Sequence, residues 1–237
     1  MTRTALVTGA NKGIGFEIAA QLGALGITVL VGARDAERRE TAVEKLRAAG
    51  ADARGIALDV TDQASVDAAA AAITDLDILV NNAGILTQDG VTPGAADLDI
   101  VQKVFDTNVF GVIRITEALL PQLHRAPAGR IVNLSSGLGS FTLLTDQTDR
   151  LAAVPPSLGY GPSKTALTAI TLQYAKQLAG TGILVNAVSP GYCATDMNGH
   201  AGTQTAAEGA EIAVRMATIG ADGPTGGFFE GDRVVPW

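Results

Sequence analysis

Thr8-Gly9-Ala10-Asn11-Lys12-Gly13-Ile14-Gly15 joins a short apolar run to a longer periodic one, and the reading of that junction decides the fold. Upstream, residues 3–8 have the continuous apolar, β-branched character of a buried strand. Downstream, Ile14, Ile18, Leu22 and Leu25 recur at helical spacing. A tight strand-to-helix turn uses glycine for positive φ and for close backbone approach, and it aims the positive N-terminal end of the helix at any anion lying over it. In a chain with 28 glycines such a turn by itself is ordinary. Its place directly after the first strand is what favours a dinucleotide pyrophosphate.

The same alternation continues outward. Strands are expected at 27–31, 54–58, 76–80, 130–134 and 184–189, and helices at 36–49, at 61–74 behind a Thr61 cap, and at 206–218. One long helix is expected over 97–123, a polar irregular stretch over 137–157, a helix after Leu158, and a single short strand near 227–235. Short apolar strands separated by helices pair in parallel through right-handed crossovers. The expected fold class is therefore α/β: a Rossmann-type doubly wound parallel sheet of about seven strands, helices on both faces, in one domain. Ligands of such sheets bind at the C-terminal ends of the strands.

Composition narrows the function. With 237 residues, 47% hydrophobic and 17% charged, the chain is long enough and apolar enough to bury one sizeable core. A formal charge of −7 disfavours nucleic acid and anionic lipid surfaces. No apolar run reaches the ~18–20 residues of a membrane helix, and the N-terminal residues enter a strand without the apolar segment of a secretory signal, so a cytoplasmic protein is expected. One cysteine, Cys193, and two distant histidines, His124 and His200, offer neither a disulfide nor a metal spacing. The expected partner is a small molecule, with no metal.

Several polar residues fall at the same sheet edge as the glycine turn. After the second strand comes Ala33-Arg34-Asp35, where an acid would take both ribose hydroxyls of NAD and an arginine would pair with the 2′-phosphate of NADP. Placing Ala33 at the strand end leaves Arg34 over the phosphate and makes Asp35 the cap of the next helix, with Lys12 a second cation. Asp59 and Val60 follow the third strand, where Asp59 can accept from an adenine amino group, and Asn81-Asn82-Ala83-Gly84 follows the fourth. Tyr160 and Lys164 stand at i and i+4, neighbours on one helix face, so that the ammonium favours the phenolate and brings the tyrosine closer to working range. Ser135-Ser136 end the fifth strand and can polarise a carbonyl. No G-x-S-x-G elbow surrounds any serine, which argues against a serine hydrolase.

In order and context these motifs, with Asn108 and Pro190-Gly191, resemble the short-chain dehydrogenase/reductase family over essentially the whole chain. The similarity is greatest to NADPH-dependent carbonyl reductases, through Thr8 to Gly15, Ala33-Arg34-Asp35, Pro190 to Met197, Glu208-Gly209-Ala210-Glu211 and the final tryptophan. The resemblance implies Tyr160 as general acid in reduction, Lys164 on the nicotinamide ribose lowering the tyrosine pKa, Ser136 on the carbonyl and Asn108 in a water-borne proton relay. It implies NADPH, with NADH possible, held by the turn Gly9, Asn11, Lys12, Gly13, Ile14, Gly15. Arg34 joins Asn11 and Lys12 at the 2′-phosphate, and Asp59 and Val60 take the adenine. Asn82, Ala83 and Gly84 lie beside the ribose, and Pro190, Gly191 and Thr195 at the nicotinamide end.

Ile85, Leu86, Leu138, Phe141, Tyr192 and Met197 are the expected walls of a substrate pocket, apolar as ligand pockets commonly are. Tyr160 lies 24 positions after Ser136, farther than in most family members and nearer than in animal carbonyl reductases, so an insertion around 137–159 precedes the tyrosine helix. Monomer and homodimer both fit. The function expected is hydride transfer from NADPH to an aldehyde or ketone. The alternative is an NADP(H)-binding sensor without turnover; a methyltransferase would leave Tyr160, Lys164 and Asn81 to Gly84 unexplained.

Overall fold

In the computed structural model, which describes residues 2–237, β1 (Thr4–Thr8) pairs in parallel with β2 (Thr28–Ala33) on one side and β4 (Ile78–Asn81) on the other. β3 (Ala53–Ala57) continues beyond β2, and β5 (Arg130–Leu134), β6 (Leu184–Val188), β7 (Phe228–Glu230) and β8 (Arg233–Val234) continue beyond β4. The order is β3-β2-β1-β4-β5-β6-β7-β8. The strand order thus reverses between β1 and β4, and the turns after both strands open onto the resulting crevice.

Alternate residues of each strand supply two apolar layers, as the period of two requires. Ala5, Val7, Val29, Val31, Ile78 and Val80 pack against α1 (Gly13–Ala24), α2 (Ala36–Ala48) and α8 (Ala206–Thr218). Leu6, Leu30, Leu79, Ile131 and Val185 pack against α3 (Gln63–Ala72), α5 (Gly111–Arg125) and α7 (Tyr160–Gln177). Ile18, Leu22, Ile115, Leu119 and Leu123 are all completely buried. Each contributes roughly 1.5–3 kcal/mol of burial, which locks the helices to the sheet.

The differences from expectation are local. β2 runs past residue 31 to Ala33, so Asp35 does cap α2, accepting from the Arg38 amide. The cap of α3 is Asp62 rather than Thr61, because Thr61 is spent on the Asp59 carboxylate. The expected single terminal strand is a hairpin: Gly231, at φ +55°, and Asp232 turn the chain back so that β7 and β8 pair antiparallel, making eight strands. The long helix is α4 (Leu98–Phe105) and α5 joined by a π-turn over Asp106–Phe110. The stretch after Ser136 is not irregular throughout. It holds a 3-10 turn (Gly137–Gly139), the short α6 (Phe141–Thr145) and a second 3-10 turn (Arg150–Ala153), whose first residues are capped by Ser136, Ser140 and Asp149. The chain's last residues hold this segment down: the Ser140 hydroxyl donates to the Pro236 carbonyl at 2.6 Å, and the Thr142 hydroxyl to that of Trp237 at 2.7 Å.

Candidate active site

The glycine turn is held from below by Asn82. Its side-chain amide donates to the carbonyls of Thr8 (2.8 Å) and Gly9 (3.3 Å), while the Thr8 hydroxyl accepts from the backbone N–H groups of Asn82 and Ala83. The turns after β1 and β4 are thereby one unit. A Cβ on Gly15 would lie 2.3 Å from the Asn82 amide nitrogen and 2.6 Å from the Gly9 carbonyl, so only glycine fits there. The cleft above has a volume of about 550 Å³.

At the floor of this cleft, the N-terminus of α1 differs from its neighbours. The helices α2, α3 and α4 each have an aspartate cap, from Asp35, Asp62 and Asp97, whereas α1 has no side-chain cap and no acidic residue in its first turn. Its first N–H groups therefore face the cleft available to an anion. A pyrophosphate fits this cradle.

The end of the cleft beside β2 and β3 carries charge of both signs. Asp59 accepts two hydrogen bonds from Thr61, at 2.7 and 3.0 Å, through one carboxylate oxygen; the other is 3.9 Å from Arg34. Burial works against its ionisation, but the Thr61 bonds and the Arg34 charge outweigh it and hold the carboxyl below its usual range. Arg34, 77% exposed and only loosely paired, is free to turn toward a phosphate. Lys12 lines the cleft too, yet its ammonium reaches across to Asp196 at 2.7 Å, which also faces His200 at 3.1 Å. Both ends of the Lys12 pair are more than half exposed, so water and salt screen it.

Farther along, at the ends of β5 and β6, the chemistry-bearing side chains meet. α7 begins at Tyr160 and carries Lys164 one turn on, its ammonium 5.4 Å from the tyrosine ring centre. The Lys164 ammonium is buried and donates to the Leu134 carbonyl at 2.6 Å. Burial pulls its pKa down to about 8. The two serines after β5 differ: Ser135 is buried and donates to the Lys164 carbonyl, while Ser136 faces the Tyr160 phenol. Burial pushes that phenol up to about 12, opposed only in part by Ser136. The net direction is opposite to the expected lowering, since desolvation of the phenolate outweighs what the Lys164 cation offers it. Tyr160 therefore keeps its proton at neutral pH.

Asn108 sits in the π-turn, buried, with its side chain fully committed. Its oxygen accepts from the Ile85 amide at 2.8 Å, and its nitrogen donates to the Ile85 carbonyl (2.9 Å) and the Ser163 hydroxyl (3.0 Å). A Cβ on Gly84 would be 3.3 Å from that oxygen and 3.6 Å from the Lys164 ammonium, so the bare Gly84 backbone leaves the space between them open.

Residues 3–206 match the family described as short chain dehydrogenase. The chain belongs to the short-chain dehydrogenase family. It is 38% identical over 224 residues to a short-chain dehydrogenase of Penicillium roqueforti, covering 91% of this chain and 88% of that one. It is also 34% identical to the NADPH carbonyl reductase 1 of Mus musculus, over 98% of both chains. Among solved structures, the NADPH-bound carbonyl reductase from chicken fatty liver superposes with a TM-score of 0.87 at 29% identity, over 100% of this chain and 99% of that one.

In this short-chain dehydrogenase the cleft gathers the expected turn residues with Arg34, Asp59, Val60, Asn82, Ala83, Gly84 and Thr195, as well as Ile85, Leu86 and Met197. Tyr160, Lys164, Pro190, Gly191, Leu138, Phe141 and Tyr192 lie outside its lining. Phe141, at 66% exposed, and Tyr192, at 44%, stand in the open instead, and Met197 lines the cleft while 44% exposed. Two charged lining residues escaped the sequence reading. Arg38 is in the first turn of α2, one helical turn beyond Arg34, a spacing that could have flagged it; nothing local marks Asp196 as the partner of a lysine 184 positions away. Among the described residues no cluster of metal-ligating side chains occurs, and no helix is long and apolar enough to cross a membrane.

Proposed function

We propose that this short-chain dehydrogenase is an NADPH-dependent reductase of uncharged aldehydes or ketones. The observation that carries this reading is the meeting of Ser136 with a tyrosine whose environment keeps it protonated, beside a cleft shaped for a dinucleotide. The glycine turn and the uncapped α1 hold the pyrophosphate through backbone N–H groups. Asp59 and Val60 frame the adenine, Arg34 with Asn11 pairs with the 2′-phosphate, and Arg38 adds a third donor. Lys12 joins them by exchanging Asp196 for the phosphate. Lys164 donates to the nicotinamide ribose, and Pro190, Gly191 and Thr195 border the nicotinamide. The relatives named as NADPH carbonyl reductases support the same cofactor.

When bound, NADPH supplies the hydride. The protein's part is to hold the carbonyl oxygen between the Ser136 hydroxyl and the Tyr160 phenol and to give it the phenolic proton as negative charge develops. The Lys164 cation then stabilises the phenolate left behind. With its amide spent, Asn108 serves a water-borne proton relay by fixing Ile85 and the start of α7 rather than by passing protons itself. The apolar side chains of Ile85, Leu86 and Met197 in the cleft lining, with Leu138 against α7, suit an uncharged substrate.

The test follows absorbance of the reduced nicotinamide with NADPH or NADH against uncharged aldehydes, aryl ketones, quinones and diketones. Carbonyl-dependent oxidation, faster with NADPH, is expected; saturable NADPH binding with no turnover on any carbonyl would instead indicate a sensor. Arg34→Ala is expected to weaken NADPH roughly tenfold or more and NADH less than about threefold, because the lost charge-assisted bonds belong to the 2′-phosphate. Equal weakening of both would place selectivity elsewhere.

A further inference from the structure

Ser189 follows β6 and immediately precedes the Pro190-Gly191 turn. It is 2% exposed, and its amide donates to the Phe229 carbonyl at 2.7 Å. Its hydroxyl has all of its capacity in use. The proton goes to the Glu230 carboxylate at 2.5 Å, and the oxygen accepts from the Gly137 amide at 3.2 Å and the Gly191 amide at 3.4 Å. A hydroxyl has one donor and two acceptor positions, so the acceptor that takes its proton decides where its lone pairs point. Glu230, at the end of β7, is itself held by Arg233 across the hairpin turn at 2.6 Å.

The two amides that Ser189 receives are not arbitrary. Gly137 is the residue after Ser136, and Gly191, at φ +78°, forms the turn at the nicotinamide end. We propose that Glu230 and Ser189 are positioning residues for the reduction: the carboxylate orients the hydroxyl, and the hydroxyl fixes the backbone on both sides of the reacting centre. The inference rests on the reductase reading for its catalytic consequence and on geometry alone for its structural one. Neither side chain lines the cleft. They act by setting Ser136 and the Pro190-Gly191 turn at one separation. The short bond to a carboxylate is of the charge-assisted kind, stronger than one between neutral groups. It links the sheet's last hairpin, which carries no residue of the reaction, to the serine that holds the carbonyl.

The experiment compares Ser189→Ala, Glu230→Met and Glu230→Gln with wild type, using amide hydrogen exchange without added nucleotide and steady-state kinetics with NADPH and a carbonyl. Ser189→Ala and Glu230→Met are expected to speed exchange at Gly137 and Gly191 and to lower kcat about tenfold, with KM for NADPH within about threefold. Glu230→Gln retains an acceptor for the Ser189 proton and is expected to recover most of both. Wild-type exchange in Ser189→Ala would overturn the proposal. So would kcat within twofold of wild type, or a Glu230→Gln variant as impaired as Glu230→Met, which would assign the effect to charge. If Glu230→Met does not fold, Ser189→Ala, which removes one oxygen, decides alone. If wild type turns over no carbonyl, the reductase reading fails and the exchange measurement still decides whether the Glu230–Ser189 pair holds these amides.

Discussion

Tyr160→Phe is expected to lower kcat about 10²–10⁴-fold, the range for loss of a positioned general acid, while NADPH affinity stays within about twofold of wild type. The substitution removes one oxygen at the mouth of the catalytic centre. The ring can stay in place, with the Lys164 ammonium 5.4 Å from its centre. Because burial holds the phenol at about 12, the wild-type tyrosine is protonated across the physiological range and reduction does not wait on its titration. The measurement is kcat with NADPH and a reducible carbonyl, alongside nucleotide binding by nicotinamide fluorescence. Wild-type turnover in the Tyr160→Phe enzyme would remove the tyrosine from the mechanism.

Lys164→Met is expected to separate activity from stability. Turnover should fall at least about a hundredfold, since the ribose donor and the cation facing the phenolate are both lost. Yet the protein should melt higher at neutral pH. The ammonium is buried with the Leu134 carbonyl as its one hydrogen-bond partner among the described residues, and its pKa falls from 10.5 to about 8 on folding. Below pH 8 both folded and unfolded chains carry the proton, so the folded state bears the full cost of burying it, about 3 kcal/mol. Leaving the Leu134 carbonyl without its donor takes back about 1 kcal/mol, for a net rise in Tm of about 5 °C. Between about pH 8 and 10.5 the folded lysine is neutral while the unfolded one is still charged, so the Lys164 contribution to wild-type stability rises with pH across that window. The methionine variant should lack this rise. Thermal melts from pH 7 to 10.5 check both signs. A variant that melts lower at pH 7, with an unchanged pH slope, would show that the ammonium is well solvated where it sits.

The sheet was readable because its strands are continuous apolar runs and its turns are marked by glycine and asparagine, so Thr8 to Gly15 and Asn81 to Gly84 fall at one edge in the sequence as in the structure. Asp35 as a cap and Ala33 as a strand end were likewise local facts. What escaped depends on distant partners or subtle backbone changes. A two-residue Gly231-Asp232 turn is a hairpin signal, but the strands flanking it are three and two residues long, too short to show alternation. The three helical turns of the insertion are too brief for periodicity, leaving only their serine and aspartate caps as signals. The tyrosine pKa could not be read from a neighbouring lysine, because burial, a property of the whole fold, is the larger effect. Lys12 pairs with Asp196, 184 positions away, and no local signal announces such a partner.

The π-turn between α4 and α5 bears on where this chain can gain or lose residues. Each residue of an α-helix advances the direction of its side chain by about 100° and its height by about 1.5 Å. A π-turn takes up one residue more than an α-turn, so deleting one residue from Asp106–Phe110 would let the backbone close into a regular helix whose flanking turns stay in phase. Ile115, Leu119 and Leu123 would keep their face to the sheet, and the loss would fall on the widened turn that sets Asn108 against Ile85. The segment from Gly137 to Gly159 has no such turn to keep. It hangs between Ser136 and Tyr160, pinned near its start by Pro236 and Trp237, and its length can vary without turning any helix. Chain length is therefore cheap to change at the mouth of the site and costly in the helix beneath it, so new substrate preferences can arise by insertion while the catalytic groups keep their register.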